Sequence, residues 1–124
     1  MLVIDKMSRK PIYEQLTEGI EREIVTGLLR PLSQLPSIRE LSTVLGVNPN
    51  TVQKALVELD RVGVVFSAPG RGVFVAEDAV EKIRGRMSSK IQNIQDIAMS
   101  LARAGIDKQE VHAAIERAYK NLNS

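Results

Sequence analysis

The sequence has no cysteine, which excludes a disulfide framework and every thiolate metal site, zinc fingers and redox motifs among them. It has one histidine, His112. A metal site needs several ligands, so a lone histidine on a helix reads as a surface or interface residue, and neither a metal nor a cofactor is implied. No serine stands in a nucleophile-elbow context, so the chain does not read as an enzyme. Long apolar runs are missing too: Met1 to Ile4 is a short one, ended by Asp5, and nothing approaches the roughly 18 apolar residues of a membrane span. The chain reads as soluble and cytoplasmic. There is no heavily basic tail, since 17 Lys and Arg face 15 Asp and Glu for a net charge of +2, and there is no internal repeat or low-complexity segment.

Charge becomes informative only locally. Residues 1–76 carry 9 basic and 8 acidic groups and residues 77–124 carry 8 and 7, so each part is +1. Between Leu41 and Val57 there is no acid, and from Arg61 to Ala76 there is none. Only Glu58 and Asp60 interrupt a span that holds Lys54, Arg61 and Arg71. A phosphate-facing surface needs this lack of repelling carboxylates as much as it needs cations. A length of 124 residues with 44% hydrophobic content has room for one compact domain and a smaller appendage.

Met1 to Ile4 is compatible with a short extended segment. Pro11 then opens a helix on which Ile12, Leu16, Ile20 and Ile24 recur every four residues, broadened by Tyr13 and Val25 and stopped by Gly27. Glu14, Glu18, Glu21 and Glu23 on this helix read as a solvated acidic face. Leu28 to Pro36, with two prolines, reads as a connector. Ser37-Ile38-Arg39-Glu40 is a capping box that starts a second helix, with Leu41, Val44 and Leu45 as its buried face and Gly46 as its end. Asn48 and Pro49 then suit the N-cap and first position of a third helix.

On that third helix Val52, Ala55, Leu56 and Leu59 fall at i, i+3, i+4 and i+7, which gathers them on one buried stripe. Asn50, Thr51, Gln53, Lys54 and Val57 are left facing out. Short hydrogen-bonding groups, a cation and a methyl-bearing side chain near a helix N-terminus are what reading base edges and touching phosphates in a major groove requires. Two capped helices joined by a glycine-containing turn make a helix-turn-helix signature.

After Gly63 the period changes. Val64-Val65-Phe66 and Val73-Phe74-Val75 are β-prone and flank the turn Pro69-Gly70-Arg71-Gly72, a small hairpin with Arg71 at its tip. Such a wing lays Arg71 beside the DNA backbone or into a minor groove; the plainer alternative is a β-turn with a solvated arginine. From Val80 the chain reads as helical. Met87, Ile91, Ile94, Ala98 and Leu101 repeat at 4, 3, 4 and 3, flanked by Ile83 and Ile97, up to a break at Gly105. Asp107 caps a last helix bearing Val111, Ile115, Ala118 and Leu122. Two such helices cannot bury all their apolar residues on each other, so a second copy of the chain is the economical partner, with packing onto the first domain as the alternative. The expected dimer interface is Met87, Ile91, Ile94, Ala98, Leu101, Val111, Ile115 and Leu122. The composition shift at Ala76 to Ala79 divides the chain into a DNA-binding domain, 1–76, and a helical dimerisation domain, 77–124.

Pro11-Ile12-Tyr13-Glu14-Gln15, Gly27-Leu28-Leu29, Leu35-Pro36-Ser37-Ile38-Arg39-Glu40-Leu41, Asn50-Thr51-Val52 and Gly70-Arg71-Gly72 together resemble the GntR family of bacterial transcription regulators over residues 9–76. The resemblance implies a mainly α, winged helix-turn-helix domain that binds double-stranded DNA as a homodimer at an inverted repeat. It implies DNA contacts from Arg39 on the second helix, from Asn48, Asn50, Thr51 and Gln53 around the third, and from Gly70 and Arg71 on the wing. Pro49 stands where many members have arginine, so one family contact is absent, and Leu32 replaces the glycine usual after Pro31. The short helical tail resembles the YtrA-like branch, whose tail serves dimerisation and whose members often control transporter operons.

The residues and the resemblance together point to a repressor-type regulator, with Asn50, Thr51 and Gln53 reading bases and Arg39, Lys54 and Arg71 anchoring the backbone. The rival is a winged helix that binds protein without specific DNA binding. The acid-poor surface argues against it, since a protein-binding face has no need to exclude carboxylates. A small-molecule effector is neither required nor excluded by the sequence.

Overall fold

The fourfold spacing of Ile12, Leu16, Ile20 and Ile24 becomes one helix, α1 (Ile12–Val25), in a computed structural model that describes residues 2–122. It is followed by α2 (Ile38–Leu45), α3 (Pro49–Arg61), an antiparallel hairpin of β1 (Val65–Ala68) and β2 (Gly72–Val75), then α4 (Ala79–Ser88), α5 (Ile91–Arg103) and α6 (Lys108–Asn121). The fold is thus mostly helical with one small hairpin. No described helix is long and apolar enough to cross a membrane.

The chain divides into two compact units, Met1–Gly85 and Arg86–Ser124. In the first, the stripes of α1 and α3 meet. Leu16, Ile20 and Ile24 are buried with Val52, Ala55, Leu56 and Leu59, and Leu41, Val65 and Val75 close the core from α2 and the hairpin. Fully burying side chains of this size is worth about 1.5–3 kcal/mol each, so this apolar set fixes how α3 is presented. In the hairpin Val65 pairs with Val75 and Ala68 with Gly72. The inward alternation leaves Phe66 and Phe74 stacked on the other face, ring centroids 5.7 Å apart.

The segment Leu2 to Ile4, expected to be extended, pairs with no strand. Leu2 packs against Gly19, where an added Cβ would collide with its Cδ2; Met1 lies outside the described residues. Glu21 is buried, not part of a solvated face. Val44 is 80% exposed, because the row Ile38, Leu41, Leu45 is the one that α2 turns to the core. The connector is also more than a connector. Gln34 bridges Phe74, the Leu35 amide donates to the Val73 carbonyl at 2.8 Å, and the Val75 amide donates to the Ser33 carbonyl at 2.9 Å. A third extended rung therefore braces β2.

The helix expected to run on from Val80 is interrupted at Ser89-Lys90. Ser89 Oγ donates to the Arg86 carbonyl at 2.6 Å, a local bond of the kind that competes with helical pairing. Ahead of the interruption, Ala79 and Ile83 are buried with the first unit's core, so Ile83 belongs to that core and does not flank a tail seam. The compact unit accordingly runs nine residues past the composition shift. In the second unit, Asp107 caps α6 by accepting from the Gln109 amide at 3.0 Å. Neither α5 nor α6 has a buried residue. Ile94, Ala98, Ala102, Ile106, Val111 and Ile115 line an open groove of about 370 Å³ between them.

Candidate nucleic-acid interface

The interface is built from α2, the turn after it, α3 and the hairpin tip. The capping box forms as its sequence requires: the Glu40 amide donates to Ser37 Oγ at 3.0 Å and the Ser37 amide faces Glu40 Oε1 at 3.5 Å. That fixes the first turn of α2 and carries Arg39, exposed at its second position. Gly46 ends the helix with φ of 65° and ψ of 38°, the left-handed conformation that costs glycine nothing. The turn is then locked from three sides. Val47 is buried, Ser42 Oγ donates to the Val47 carbonyl at 2.6 Å, and Lys6 Nζ donates to the Gly46 carbonyl at 2.9 Å.

Asn48 caps α3 by accepting the Asn50 amide at 2.8 Å, with Pro49 at the first helical position. Burial of Val52, Ala55, Leu56 and Leu59 leaves Asn50, Gln53, Lys54 and Val57 exposed, while Thr51 is half-buried. The cap gives Asn48 a structural task, with its Oδ1 committed to the helix start.

Lys54 Nζ sits 3.9 Å from the ring centroid of Tyr13 on α1, well inside the distance at which an ammonium is attracted to an aromatic face. Further along α3, Arg61 donates from Nε to Glu58 Oε2 at 2.9 Å. Hydrogen bonding to Glu58, and then its charge, push the Arg61 guanidinium above its ordinary value.

At the hairpin tip the Arg71 amide closes the turn onto the Ala68 carbonyl at 2.9 Å. The Arg71 carbonyl is in turn held by Gln34 Nε2 at 2.7 Å. Gly72 has φ of 120°, and a Cβ there would fall 2.5 Å from Gln34 Nε2, so glycine serves both the backbone angle and the brace. Gly70 and Arg71 are exposed, and among the described residues neither Arg39 nor Arg71 has an acidic partner.

Of the eight DNA-contact candidates, Arg39, Asn48, Asn50, Gln53, Lys54, Gly70 and Arg71 are exposed and Thr51 is half-buried. Three supporting residues escaped the sequence reading: Tyr13 beneath Lys54, Gln34 beneath the wing tip and Lys6 on the turn. All three act across 37 or more positions of sequence, where periodicity carries no signal.

The geometry has close counterparts. Residues 12–75 match the family model described as bacterial regulatory proteins, gntR family. The chain is 34% identical over 117 residues to the HTH-type transcriptional repressor YtrA of Bacillus subtilis, covering 94% of this chain and 90% of the relative. It superimposes on a GntR family transcriptional regulator from Listeria monocytogenes with a TM-score of 0.71 and 31% identity, covering 92% of this chain and 98% of that one. The AraR DNA-binding domain, in a crystal structure with operator ORE1, matches with a TM-score of 0.54 and 32% identity over 61% of this chain and 93% of its own.

Proposed function

The chain belongs to the gntR family of bacterial regulatory proteins and is a DNA-binding transcription regulator, and from that premise we propose that it is a repressor that grips an inverted-repeat operator as a homodimer. The observation that carries this reading is the outer face of α3. Asn50, Gln53 and Lys54 are exposed on a helix whose first acid is Glu58, and that glutamate is engaged by Arg61. In this reading Asn50, Thr51 and Gln53 address base edges, while Arg39, Lys54 and Arg71 hold the backbone. Asn48 orders the helix start and Gly70 admits the backbone to the wing. The capped start of α3, free of acids in its first turn, favours the approach of phosphate. Repression is the activity named for the YtrA relative, and the short-tail resemblance points to a transporter operon in the cytoplasm.

The homodimer rests on the second unit. Ile91, Ile94 and Leu122 are more than half exposed and Met87 and Ile115 about two-fifths, while Ala98, Leu101 and Val111 are half-buried. An apolar seam of this extent, on helices with no buried residue of their own, suits a two-fold interface in which each copy covers the other. Residues 1–76 thus serve DNA binding and residues 77–124 serve dimerisation, with the start of α4 pinned to the first by Ala79 and Ile83.

Arg71→Ala tests the wing. It is expected to weaken binding to all sequences alike and to flatten the dependence of log K on log salt by about one unit. An unchanged slope would remove Arg71 from the contacts.

A further inference from the structure

Lys54 and Glu58 stand four apart on α3, the spacing at which lysine and glutamate side chains meet on a helix surface, though in the weaker order. The pair does not form. Lys54 lies on the ring of Tyr13, and Glu58 is taken by Arg61. We propose that Tyr13 and Arg61 act together as positioning residues that keep the Lys54 ammonium available to DNA phosphate, the ring as a platform for the cation and the guanidinium as an occupant of the competing carboxylate. The proposal rests on the reading of α3 as the DNA-facing helix and adds to it residues outside the expected contact set.

In this corner Lys54 lies on the Tyr13 ring and Glu58 accepts from Arg61. Tyr13, Glu14 and Thr17 of α1 face Lys54, Val57 and Glu58 of α3 across a hollow of about 390 Å³. Two carboxylates line it, and neither pairs with Lys54. Tyr13 Oη lies 3.4 Å from Glu14 Oε1, the phenol donating, and Glu58 accepts from Arg61. An aromatic face attracts an ammonium through its quadrupole and leaves the positive charge uncancelled, so N–H donors directed away from the ring remain for phosphate oxygens. A carboxylate partner would do the opposite, consuming donors and cancelling the charge that releases counterions from DNA.

The test measures the slope of log K against log salt for the full chain on mixed-sequence duplex DNA, beside the NMR shift of the Lys54 ε-methylene protons in the DNA-free protein. Lys54→Ala is expected to lose about 0.9 of slope, the value for one phosphate. Tyr13→Leu should lose the same amount, together with the upfield ring-current shift of Lys54, and Tyr13→Phe should keep both. Arg61→Ala should also lose both, because Glu58 is then released to draw Lys54 off the ring. Glu58→Gln added to Arg61→Ala should restore both. The proposal is overturned if Tyr13→Leu leaves the slope of wild type, or if the double variant stays as low as Arg61→Ala, which would make Arg61 itself the phosphate contact. If Lys54→Ala changes no slope while Arg71→Ala does, the inference fails and the DNA-binding reading stands. If the wild-type chain shows no salt-dependent duplex binding, both fail. Should Tyr13→Leu not fold, the Arg61 and Glu58 variants carry the decision, since these side chains are solvent-accessible.

Discussion

Leu32 holds φ of 65°, a left-handed backbone that a residue with a Cβ adopts at a cost of about 1–2 kcal/mol. Its amide donates to the Val75 carbonyl at 2.9 Å, so the connector keeps the shape required to brace β2 and bears the strain in doing so. The side chain is 56% exposed and offsets little of that by burial. Leu32→Gly is therefore expected to stabilise the first unit by about 1 kcal/mol, raising its thermal midpoint by roughly 4–8 °C. A lowered midpoint in a thermal melt would show that the leucine's contacts outweigh its backbone. The sequence singled out Leu32 as a departure from the family pattern but not the conformation it retains, which depends on a bond to a strand 43 positions away. Val44 shows another limit at this scale. From Leu41, the positions i+3 and i+4 both point toward a core, and only the packing of α2 decided that Leu45 goes in and Val44 stays out.

At the scale of elements, what is encoded locally was legible. The Ser37 capping box, the Asn48 cap with Pro49 behind it and the Val52, Ala55, Leu56, Leu59 stripe each involve residues within a turn or two of one another, and all stand where the spacing put them. Elements that depend on distant partners were not. The extended rung at Ser33 to Leu35 has no alternating pattern and two flanking prolines, and it exists because β2 offers it a free edge. The break at Ser89-Lys90 escaped for a different reason, since the apolar repeat passes through it unaltered. The Gln34 brace on the Arg71 carbonyl sets a test of the hairpin as a unit. Gln34→Ala removes one net hydrogen bond of about 1 kcal/mol, roughly fivefold in an opening equilibrium. Amide exchange at the hairpin tip should quicken by about that factor, with the global thermal midpoint little changed. Unaltered exchange at the tip would mean that the brace does not order the wing.

At the scale of the whole molecule, the first unit is closed around its core and the second is not. Its helices expose Ile91, Ile94, Ile97, Tyr119 and Leu122, an apolar surface that a second copy would cover. Ile94 is about half exposed, so Ile94→Asp costs the fold of one chain little while placing a carboxylate in the proposed seam. The variant is expected to sediment as a monomer and to bind DNA weakly, and a dimer that survives the change would contradict the seam. The local acid-poor stretches, invisible in a net charge of +2, were the sequence's clearest statement about the partner. The proposed assembly rests, in the sequence, on a deficit alone: an apolar face with too little of its own chain to meet it.

The central claim is that two copies of α3 read two halves of one operator. It is tested most directly by selecting bound sequences from a random duplex pool at near-physiological salt, with Gln53→Ala carried in parallel. The expected result is enrichment of an inverted repeat whose half-sites lie about one helical turn apart, roughly 34 Å, or a multiple of it, with base preference changed in the Gln53→Ala selection at the positions that residue reads. Recovery of no motif, or of an identical motif from both proteins, would contradict it.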